Sequence, residues 1–586
     1  MSLLLYFSDI KKYFPRRKSI SLFDFNKKKM NENNFYYNDF LFNSIRKDKN
    51  FNKKFTILKT KIFNHLVKKL NSKHNYPKLN DLCWKVLLEP WLTNYISKNF
   101  YYWHLINHYK RKVKNYPYFL NIETIDPPID TQHATELSDK SDEYNIYLLQ
   151  RLCFYIFGKK KKLLQKKYFN DKPIQLNLEN AYPKNNNIFI KFYNFIFLKL
   201  YINNRIIFDI NKISLINKLK LNFKFFQLPV FTSYFFKTPN YNMLYKDYKN
   251  TSKSNRAKLF NFYKKKSLEN YLLQNIFKDL PTCYVENFEN TMQVVKNIKF
   301  NPKVIASDGR QEFNLYFKFW TALKISEGKK FVISDHGSSY ISNLDDATHE
   351  ESSHHSIRWF KYNLKNSVQL PIIQKLRKRE RNYKLRENLI IICTELEKFP
   401  RLVLWSPIHN ENLYQIKVIN DIFKKIKKNI KKKIFIKLHP RINKPLFNNQ
   451  ISKYYLSHRK NLNIIDNQKK FQNIFHNSRL NVCLCPQTAF IESFLSGPTI
   501  LIMNKDFYKI RDEFEKIHEE LFKMNILFYD GKSALEHINK VWDDPQKWWH
   551  EKKIFNVRKK FENLVCKTNN KEEALKEWSS FFKKLL

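Results

Sequence analysis

Three short groups of polar residues carry types and spacings that could do chemistry. The first is the turn Asp335-His336-Gly337-Ser338, which follows the apolar run 331–334. Imidazole titrates near neutrality, so His336 can act as a general base, and glycine lets the backbone approach a ligand closely. If the run is a strand, the turn lies at its carboxyl end, where ligands bind in open α/β sheets. We therefore predict His336 as the catalytic base, with Gly337 and Ser338 against the substrate. The alternative is a histidine that bonds only within its own loop.

Asp308 is a second candidate for the same chemistry. It ends the apolar run 303–308, and Gly309 follows it. At the end of a strand its carboxylate could orient His336 or act as the base itself. The alternative is a turn aspartate with no chemical role.

The second group consists of cationic side chains that alternate at the end of another apolar run. Lys437, His439 and Arg441 are two residues apart, so they can share one face of a strand that stops at Pro440. Converging cationic donors suit a phosphate or diphosphate. We predict that the three bind substrate phosphates; the alternative is a solvated basic strand end.

The third group lies on a strand, turn and helix pattern between Cys485 and Pro498. Thr488 is placed to cap the helix, whose first N–H groups form an anion site. Glu492 follows one turn later on the same face, and its carboxylate can accept hydrogen bonds from ribose hydroxyls. We predict that Thr488 and Glu492 bind a nucleotide. The alternative is a capping threonine beside a surface glutamate.

Strands and helices alternate from about residue 301, and they must position these groups. Near-continuous apolar runs predict buried parallel strands with helices on both faces. The predicted strands cover 303–308, 331–334, 389–393, 434–438, 480–484 and 499–503. The predicted helices cover 310–328, 413–432, 488–495, 543–566 and 570–586. A basic break near 365–388 separates two units, so the fold class is α/β, with two Rossmann-like parallel-sheet domains facing a cleft.

The order of the motifs resembles the layout of GT-B glycosyltransferases, in which the second domain holds the nucleotide and the first supplies acceptor and base. We expect a basic, helix-rich N-terminal region over residues 1–140. An N-terminal Rossmann-like domain would cover 141–380 and bind the acceptor. A C-terminal Rossmann-like domain would cover 381–542 and bind the nucleotide donor, before C-terminal helices over 543–586. Within the first region, helical spacing predicts helices over 56–112, and a polar stretch over 127–143 is expected to be a loop.

Composition excludes several classes of protein. Of 586 residues, 43% are hydrophobic and only 7 are cysteine, which excludes an intrinsically disordered chain and a disulfide scaffold. No apolar run reaches the ~18–20 residues of a membrane span. The formal charge of +54 comes with abundant Asn, Ile, Phe and Tyr, as in an AT-rich coding bias, and no nucleic-acid motif accompanies it. We expect a cytoplasmic protein without a nucleic-acid partner, whose basic surface could contact anionic lipid at the inner membrane face.

Further motifs extend the pattern toward the N-terminus. The chain resembles a family of transferases encoded in O-antigen and surface-polysaccharide gene clusters, over roughly residues 56–505. The motifs that carry this resemblance are Leu70-Asn71-Ser72-Lys73-His74, Trp84, Leu88-Glu89-Pro90-Trp91-Leu92, the run 303–308, Phe317, Trp320, Gly328 and Asp335-His336-Gly337. The chain departs from that family's pattern at Ser338-Ser339 and at Cys485-Pro486.

The resemblance implies a GT-B-like fold and transfer of a sugar or sugar-phosphate unit to a hydroxyl in cell-surface glycan assembly. It implies a nucleotide sugar as donor and a glycan or lipid-linked acceptor. It also implies no bound metal and no other cofactor, because side chains and a helix N-terminus take the place of the metal. Three alternatives stay open: a nucleotide-sugar epimerase or hydrolase on the same fold, a non-catalytic basic protein that binds RNA or membrane, and a homologue that has lost activity. The polar cluster Glu350, Glu351, His354 and His355 matches no standard metal spacing.

Overall fold

The structure is a computed structural model of the whole chain, and it contains three parallel sheets among helices. It describes residues 2–4, 19–21, 50–74, 79–110, 118–120, 125–158, 162–164, 188–210, 213–237, 239–251, 256, 259, 263, 265–337, 340, 350–362, 365–373, 386–394, 411–438, 463–465, 474, 478–505, 508, 510–567 and 571–586. No helix among these residues is both long and apolar enough to span a membrane.

The first sheet has the order β2-β1-β3-β4 and joins short strands far apart in the chain. These are β1 Ser2–Leu4, β2 Ser19–Ser21, β3 Tyr118–Leu120 and β4 Lys162–Leu164. The second sheet has the sequential order β5-β6-β7-β8-β9. Its strands are β5 Ile206–Asp209, β6 Val304–Ser307, β7 Lys330–Ser334, β8 His355–Arg358 and β9 Ser367–Gln369.

The third sheet has the order β12-β11-β10-β13-β14-β15. All its strands are parallel, but successive strands are added to one side of β10 up to β12 and to the other side from β13 onward, so the strand order reverses between β10 and β13. Its strands are β10 Asn388–Ile392, β11 Ile434–Lys437, β12 Asn463–Ile465, β13 Ser478–Cys483, β14 Thr499–Ile502 and β15 Leu527–Phe528. Ligands of such sheets bind outside the carboxyl ends of the strands at the reversal. The ends of β10 and β13 are therefore the expected binding edge of this half.

Helices surround the sheets. In the first half they are α1 Phe51–Lys73, α2 Asp81–Lys110, α3 Thr131–Lys140, α4 Asp142–Phe157, α5 Ile188–Ile196, α6 Leu198–Tyr201, α7 Leu215–Phe223, α8 Tyr241–Thr251, α9 Leu268–Asp279, α10 Phe288–Lys296, α11 Arg310–Phe313 and α12 Leu315–Ser326. In the second half they are α13 Glu411–Lys425, α14 Lys428–Lys431, α15 Thr488–Ser496, α16 Asp512–Lys523, α17 Gly531–Val541, α18 Pro545–His550, α19 Lys552–Val565 and α20 Lys571–Leu585.

The prediction of two parallel-sheet α/β domains is confirmed, and each predicted strand exists within one or two residues of its predicted ends. Three predicted helices are each two helices. The break between α11 and α12 falls at Asn314, whose side chain caps the second helix by accepting a hydrogen bond from the Phe317 amide. Extended backbone at Lys427 separates α13 from α14, and extended backbone at Glu551 separates α18 from α19.

The prediction of a loop over 127–143 is wrong, because α3 occupies most of it. Asp130 caps the start of this helix, and its carboxylate accepts a hydrogen bond from the His133 amide at 2.8 Å. Its polar composition hid the helix, since polarity alone is common to loops and to capped helix starts.

The end of the chain returns to the first half. The Lys361 amide donates to the Leu564 carbonyl at 2.7 Å, and the Ile372 amide donates to the Lys567 carbonyl at 3.1 Å. Helix α20 then packs on the second sheet, where the Phe582 ring lies 4.9 Å from that of Phe208. The C-terminal helices thus tie both halves together.

Candidate functional site

The two halves touch at the His-Gly turn. A Cβ atom on Gly337 would lie only 2.5 Å from the Thr488 hydroxyl oxygen, so the turn after β7 abuts the start of α15. His336 itself is exposed. The structure therefore brings Thr488 of the third group against the His336-Gly337 turn of the first group, with the imidazole open to solvent.

The carboxyl ends of β5, β6 and β7 form one edge beside this turn. The Asp308 amide donates to the Asp209 carbonyl at 3.4 Å, so the first two strand ends are adjacent. Gly309 follows with φ +136°, a conformation that other residues rarely adopt. A Cβ on Gly309 would lie 4.0 Å from His336 Nδ1, which places the Asp308 turn directly beside the imidazole. Gly309, the residue after Asp308, is thus close to His336, and the role of Asp308 beside the imidazole stays a prediction.

Asp209 gives this edge a buried ionic cluster that the sequence did not reveal. Its carboxylate pairs with Arg310 Nε at 2.6 Å and accepts a hydrogen bond from the Thr232 hydroxyl. Lys218 lies close by, and burial lowers its pKa although Asp209 and Asp308 favour its charged form. This cluster joins α11 and the segment after α7 to the carboxyl end of β5.

A second buried network fixes the His-Gly turn from behind. Asp335 Oδ1 pairs with Arg358 at 2.7 Å, and Asp335 Oδ2 accepts from the Trp359 amide at 3.0 Å. Arg358, which is fully buried, also pairs with Glu350 at 2.6 Å. Loss of one partner of a buried ion pair strongly destabilises the fold, because the other charge is left unpaired without solvent. The network therefore fixes the position of Asp335, and with it the backbone of His336, the next residue.

Tyr340, three residues after Gly337, packs against helices of the second half. Its fully buried ring lies 5.8 Å from Phe514 and 5.7 Å from His518 of α16, and 5.7 Å from Phe561 of α19. Burial raises the pKa of the Tyr340 phenol and lowers that of His518 to about 4. The turn that carries His336 is therefore held by Asp335 on one side and by Tyr340 on the other.

Lys437 ends β11, and strand register places it near the reversal of the third sheet. In the strand register Lys437 lies opposite Ile392 of β10, and Ile392 lies opposite Cys483 of β13. Since neighbouring strands are about 4.8 Å apart, the backbone of Lys437 is about 10 Å from the end of β13. The residue is 3% exposed, which contradicts a solvated basic strand end. A buried lysine at this edge is consistent with a site for negative charge.

Gln415 is a polar residue at this edge that the sequence did not single out. Its Oε1 accepts from the Thr394 amide at 3.1 Å, just after β10. Its Nε2 is buried and has no hydrogen-bond partner within the described part of the chain. An orphaned buried amide is costly, so this donor is a candidate ligand contact. Its position in the first turns of α13 shows no motif, so no sequence signal marked it.

The predicted role of Thr488 as a helix cap is wrong. Helix α15 begins at Thr488, and Gln487 occupies the cap position without a side-chain hydrogen bond to the helix. Thr488 is therefore the first helical residue. Glu492 lies one turn later and is half-buried. The start of α15 keeps its partial positive charge, next to the Gly337 turn.

Ser338, His439 and Arg441 lie outside the described residues, so their predicted contacts stay predictions. Three members of the polar cluster have protein partners: Glu350 binds Arg358, Glu351 binds Lys59 at 2.9 Å, and His354 Nδ1 accepts from the Phe331 amide at 2.9 Å. Among the described residues, no three His, Cys, Asp or Glu side chains are grouped to hold a metal ion.

Comparison with known proteins gives a family and several distant structures. A family model for LIC12162 family transferases matches residues 5–582. No curated protein matches the sequence. A mutant of S. aureus TarM, solved with Fondaparinux, alpha-GlcNAc-glycerol and UDP, is 11% identical with a TM-score of 0.33; the match covers 51% of this chain and 59% of TarM.

Two other solved structures are similarly distant. A Listeria monocytogenes protein described as a UDP-N-acetylglucosamine 2-epimerase is 10% identical with a TM-score of 0.33, over 54% of this chain and 85% of its own. Anabaena HepE, solved with UDP and glucose, is 9% identical with a TM-score of 0.33, and the match covers 55% of this chain and 90% of HepE. Neither donor nor acceptor follows from likenesses this weak. The family match, in contrast, spans nearly the whole sequence, and the chain belongs to the LIC12162 family of transferases.

Proposed function

We propose that this transferase moves a sugar or sugar-phosphate unit from a nucleotide-activated donor to a hydroxyl of a glycan or lipid-linked acceptor, in the assembly of cell-surface polysaccharide such as O-antigen. The observation that carries the proposal is the contact between Gly337 and Thr488. It supports the proposal because the exposed His336 precedes Gly337 in one half and Thr488 begins a helix of the other, which suits a general base facing a phosphate site.

The proposed step for a sugar has a simple balance of bonds and charge. The acceptor oxygen forms a bond to the sugar carbon while the bond from that carbon to the donor phosphate breaks. His336 takes the hydroxyl proton, and Asp308 beside it orients the imidazole or serves as the base in its place. The nucleotide leaves with the electron pair and therefore with added negative charge.

That negative charge develops on the side of the second half. The N–H groups at the start of α15 offer donors to a phosphate, and buried Lys437 supplies a positive charge near the reversal of the sheet. In the proposal His439 and Arg441 extend this charge and Glu492 binds the ribose. These groups need no metal or other resident cofactor.

Two further parts of the proposal concern location. The protein would work on the cytoplasmic side, with peripheral contact at the inner membrane face. The high positive charge supports attraction to anionic lipid.

The test is nucleotide binding followed by transfer. We expect one of CMP, UDP, GDP or CDP to raise the thermal midpoint, because a ligand at 100 Kd stabilises a fold by about 2.7 kcal/mol. Thr488→Asp should abolish that shift while preserving the fold, since an acidic residue suits a helix start but repels phosphate. Lys552→Asp, at the exposed first residue of α19, is the matched control and should keep the shift.

Three results would reject the proposal. Conversion of a nucleotide sugar without any acceptor would make the protein an epimerase or hydrolase. A thermal shift that survives Thr488→Asp would place the nucleotide elsewhere. Binding of RNA with a steep salt dependence and no nucleotide shift would favour a non-catalytic basic protein.

A further inference from the structure

Helices α5 and α6 expose an unusually apolar surface. On α5 the exposed fractions are 76% for Ile188, 85% for Phe189, 64% for Phe192, 71% for Phe195 and 52% for Ile196. These residues follow the i, i+1, i+4, i+7, i+8 spacing of one helix face. Leu198 at 42% and Leu200 at 54% continue it on α6. We call this set the α5–α6 face.

The opposite side of α5 is fixed to the protein, so the α5–α6 face is held outward. The Tyr193 ring lies 5.4 Å from that of Phe231, and buried Asn194 donates to the Phe231 carbonyl at 3.4 Å. Tyr201 of α6 is also buried and lies 6.1 Å from Tyr193. The helix is therefore apolar on its outer face, while its packing against the fold uses a different set of side chains.

An outward apolar helix needs an apolar environment, and its length restricts which one. Nine residues are far too few to span a bilayer, which needs about 20. A short helix with one apolar face can instead lie in the membrane interface, with that face about 5–10 Å deep. Scattered surface leucines need no explanation, but a contiguous row of phenylalanine and isoleucine does.

The charges around this face match an anionic bilayer. Lys191 and Lys199 are exposed on the same two helices, and Arg205 is exposed just after them. The sequence 188–208 contains no aspartate or glutamate. Basic residues at the membrane surface gain about 1 kcal/mol each from anionic lipid. An apolar row whose own segment, 188–208, carries only positive charge fits an anionic lipid surface.

The α5–α6 face is also connected to the candidate site by a short chain of contacts. Phe231, which packs on α5, precedes Thr232, whose hydroxyl donates to Asp209. Asp209 ends β5 and lies beside Asp308 through the amide contact at 3.4 Å. These contacts place α5 and the edge that carries His336 in neighbouring parts of the same half.

We propose that the α5–α6 face inserts into the interface of an anionic bilayer and brings a lipid-linked acceptor to the His336 edge. The choice of acceptor rests on the proposed function, whereas the membrane contact rests only on the exposed face and its charges.

The test is vesicle binding by the full chain. We expect the protein to cosediment with vesicles of phosphatidylglycerol and phosphatidylcholine, and to bind pure phosphatidylcholine at least about tenfold more weakly. Phe189→Ser with Phe195→Ser should reduce binding to anionic vesicles at least about tenfold. The matched control replaces two exposed phenylalanines of the second half, Phe522 at 47% and Phe555 at 37%, with serine and should stay within about twofold.

Each outcome separates the two proposals. Equal loss in both double variants, or no loss in the α5 variant, overturns the membrane surface. So does a wild-type dimer that the α5 variant dissociates, because a second copy would then cover the face. If vesicle binding fails but a nucleotide still shifts the thermal midpoint, the membrane inference and the proposed peripheral location fall, and the proposed transfer stands. If vesicle binding follows the prediction and no nucleotide binds, the proposed transfer falls and the membrane surface stands.

Discussion

The contact between Gly337 and Thr488 predicts a strong coupling between two residues that are distant in sequence. Gly337→Ala would put a Cβ at 2.5 Å from Thr488 Oγ1, inside the 3.0 Å that Cβ contacts respect. Overpacking of this kind costs about 1–3 kcal/mol. The backbone of Gly337 is not in the left-handed region, so alanine also reduces the entropy of the unfolded chain, which offsets about 0.4–1 kcal/mol.

The coupling appears when the hydroxyl is removed. In the Thr488→Ala background the nearest remaining atom would be the Cβ of residue 488, at 3.8 Å, which is ordinary van der Waals contact. Gly337→Ala should then be neutral or slightly stabilising. The double-mutant cycle should therefore give an interaction energy of about 1–3 kcal/mol.

The assay is urea unfolding of the four proteins, followed by tryptophan fluorescence and far-UV circular dichroism. Gly309→Ala is the comparison, because its cost comes from backbone strain at φ +136° and should add independently to Thr488→Ala. Additivity within about 0.5 kcal/mol for Gly337 and Thr488 would refute the reasoning, since it would mean that the two halves do not meet there.

Three further predictions concern the network, the pH dependence and the chemistry. Arg358→Met should cost about 3–5 kcal/mol in thermal unfolding, because it leaves Asp335 and its partner glutamate as buried charges; a loss below about 1 kcal/mol would contradict the network. His518 has a folded pKa of about 4 against 6.5 when unfolded, so the unfolded chain takes up its proton first and stability falls from pH 6.5 to 4 by up to about 3 kcal/mol. His518→Leu should flatten that fall in a pH series of thermal midpoints, and an unchanged slope would contradict the reasoning. His336→Gln should lower kcat about 10²–10⁴-fold and leave nucleotide affinity unchanged, and equal loss of both would assign it to binding.

The strand runs and the turns that follow them could be predicted because each is encoded locally. The run 303–308 and the strand β6 agree because Val304, Ile305 and Ala306 are apolar and all four strand residues are buried, as in a parallel sheet covered on both faces. The same rule located His336, Asp308 and Thr488 at strand or helix ends. It failed for β8, because His355 and Ser356 break the apolar pattern and the strand is stabilised by the buried Arg358 instead.

The supporting residues could not be predicted because their roles depend on partners far along the chain. Tyr340 has no motif, and its role comes from rings on α16 and α19. Gln415 differs from any surface glutamine only because β10 ends beside it. Asp209 could not be predicted either, since its strand lies in a segment with no clear alternation of apolar and polar residues.

The sequence by itself determined the α/β fold class, the parallel strands and the positions of the polar turns, because apolar periodicity and strand ends are properties of neighbouring residues. Only the tertiary structure decided which turns meet. The reversal of strand order at β10 and β13, the return of α20 to the second sheet and the insertion of Tyr340 between helices set the His336 turn against α15. Those contacts depend on how separate elements pack, and packing is decided by the shapes of surfaces that no single segment contains.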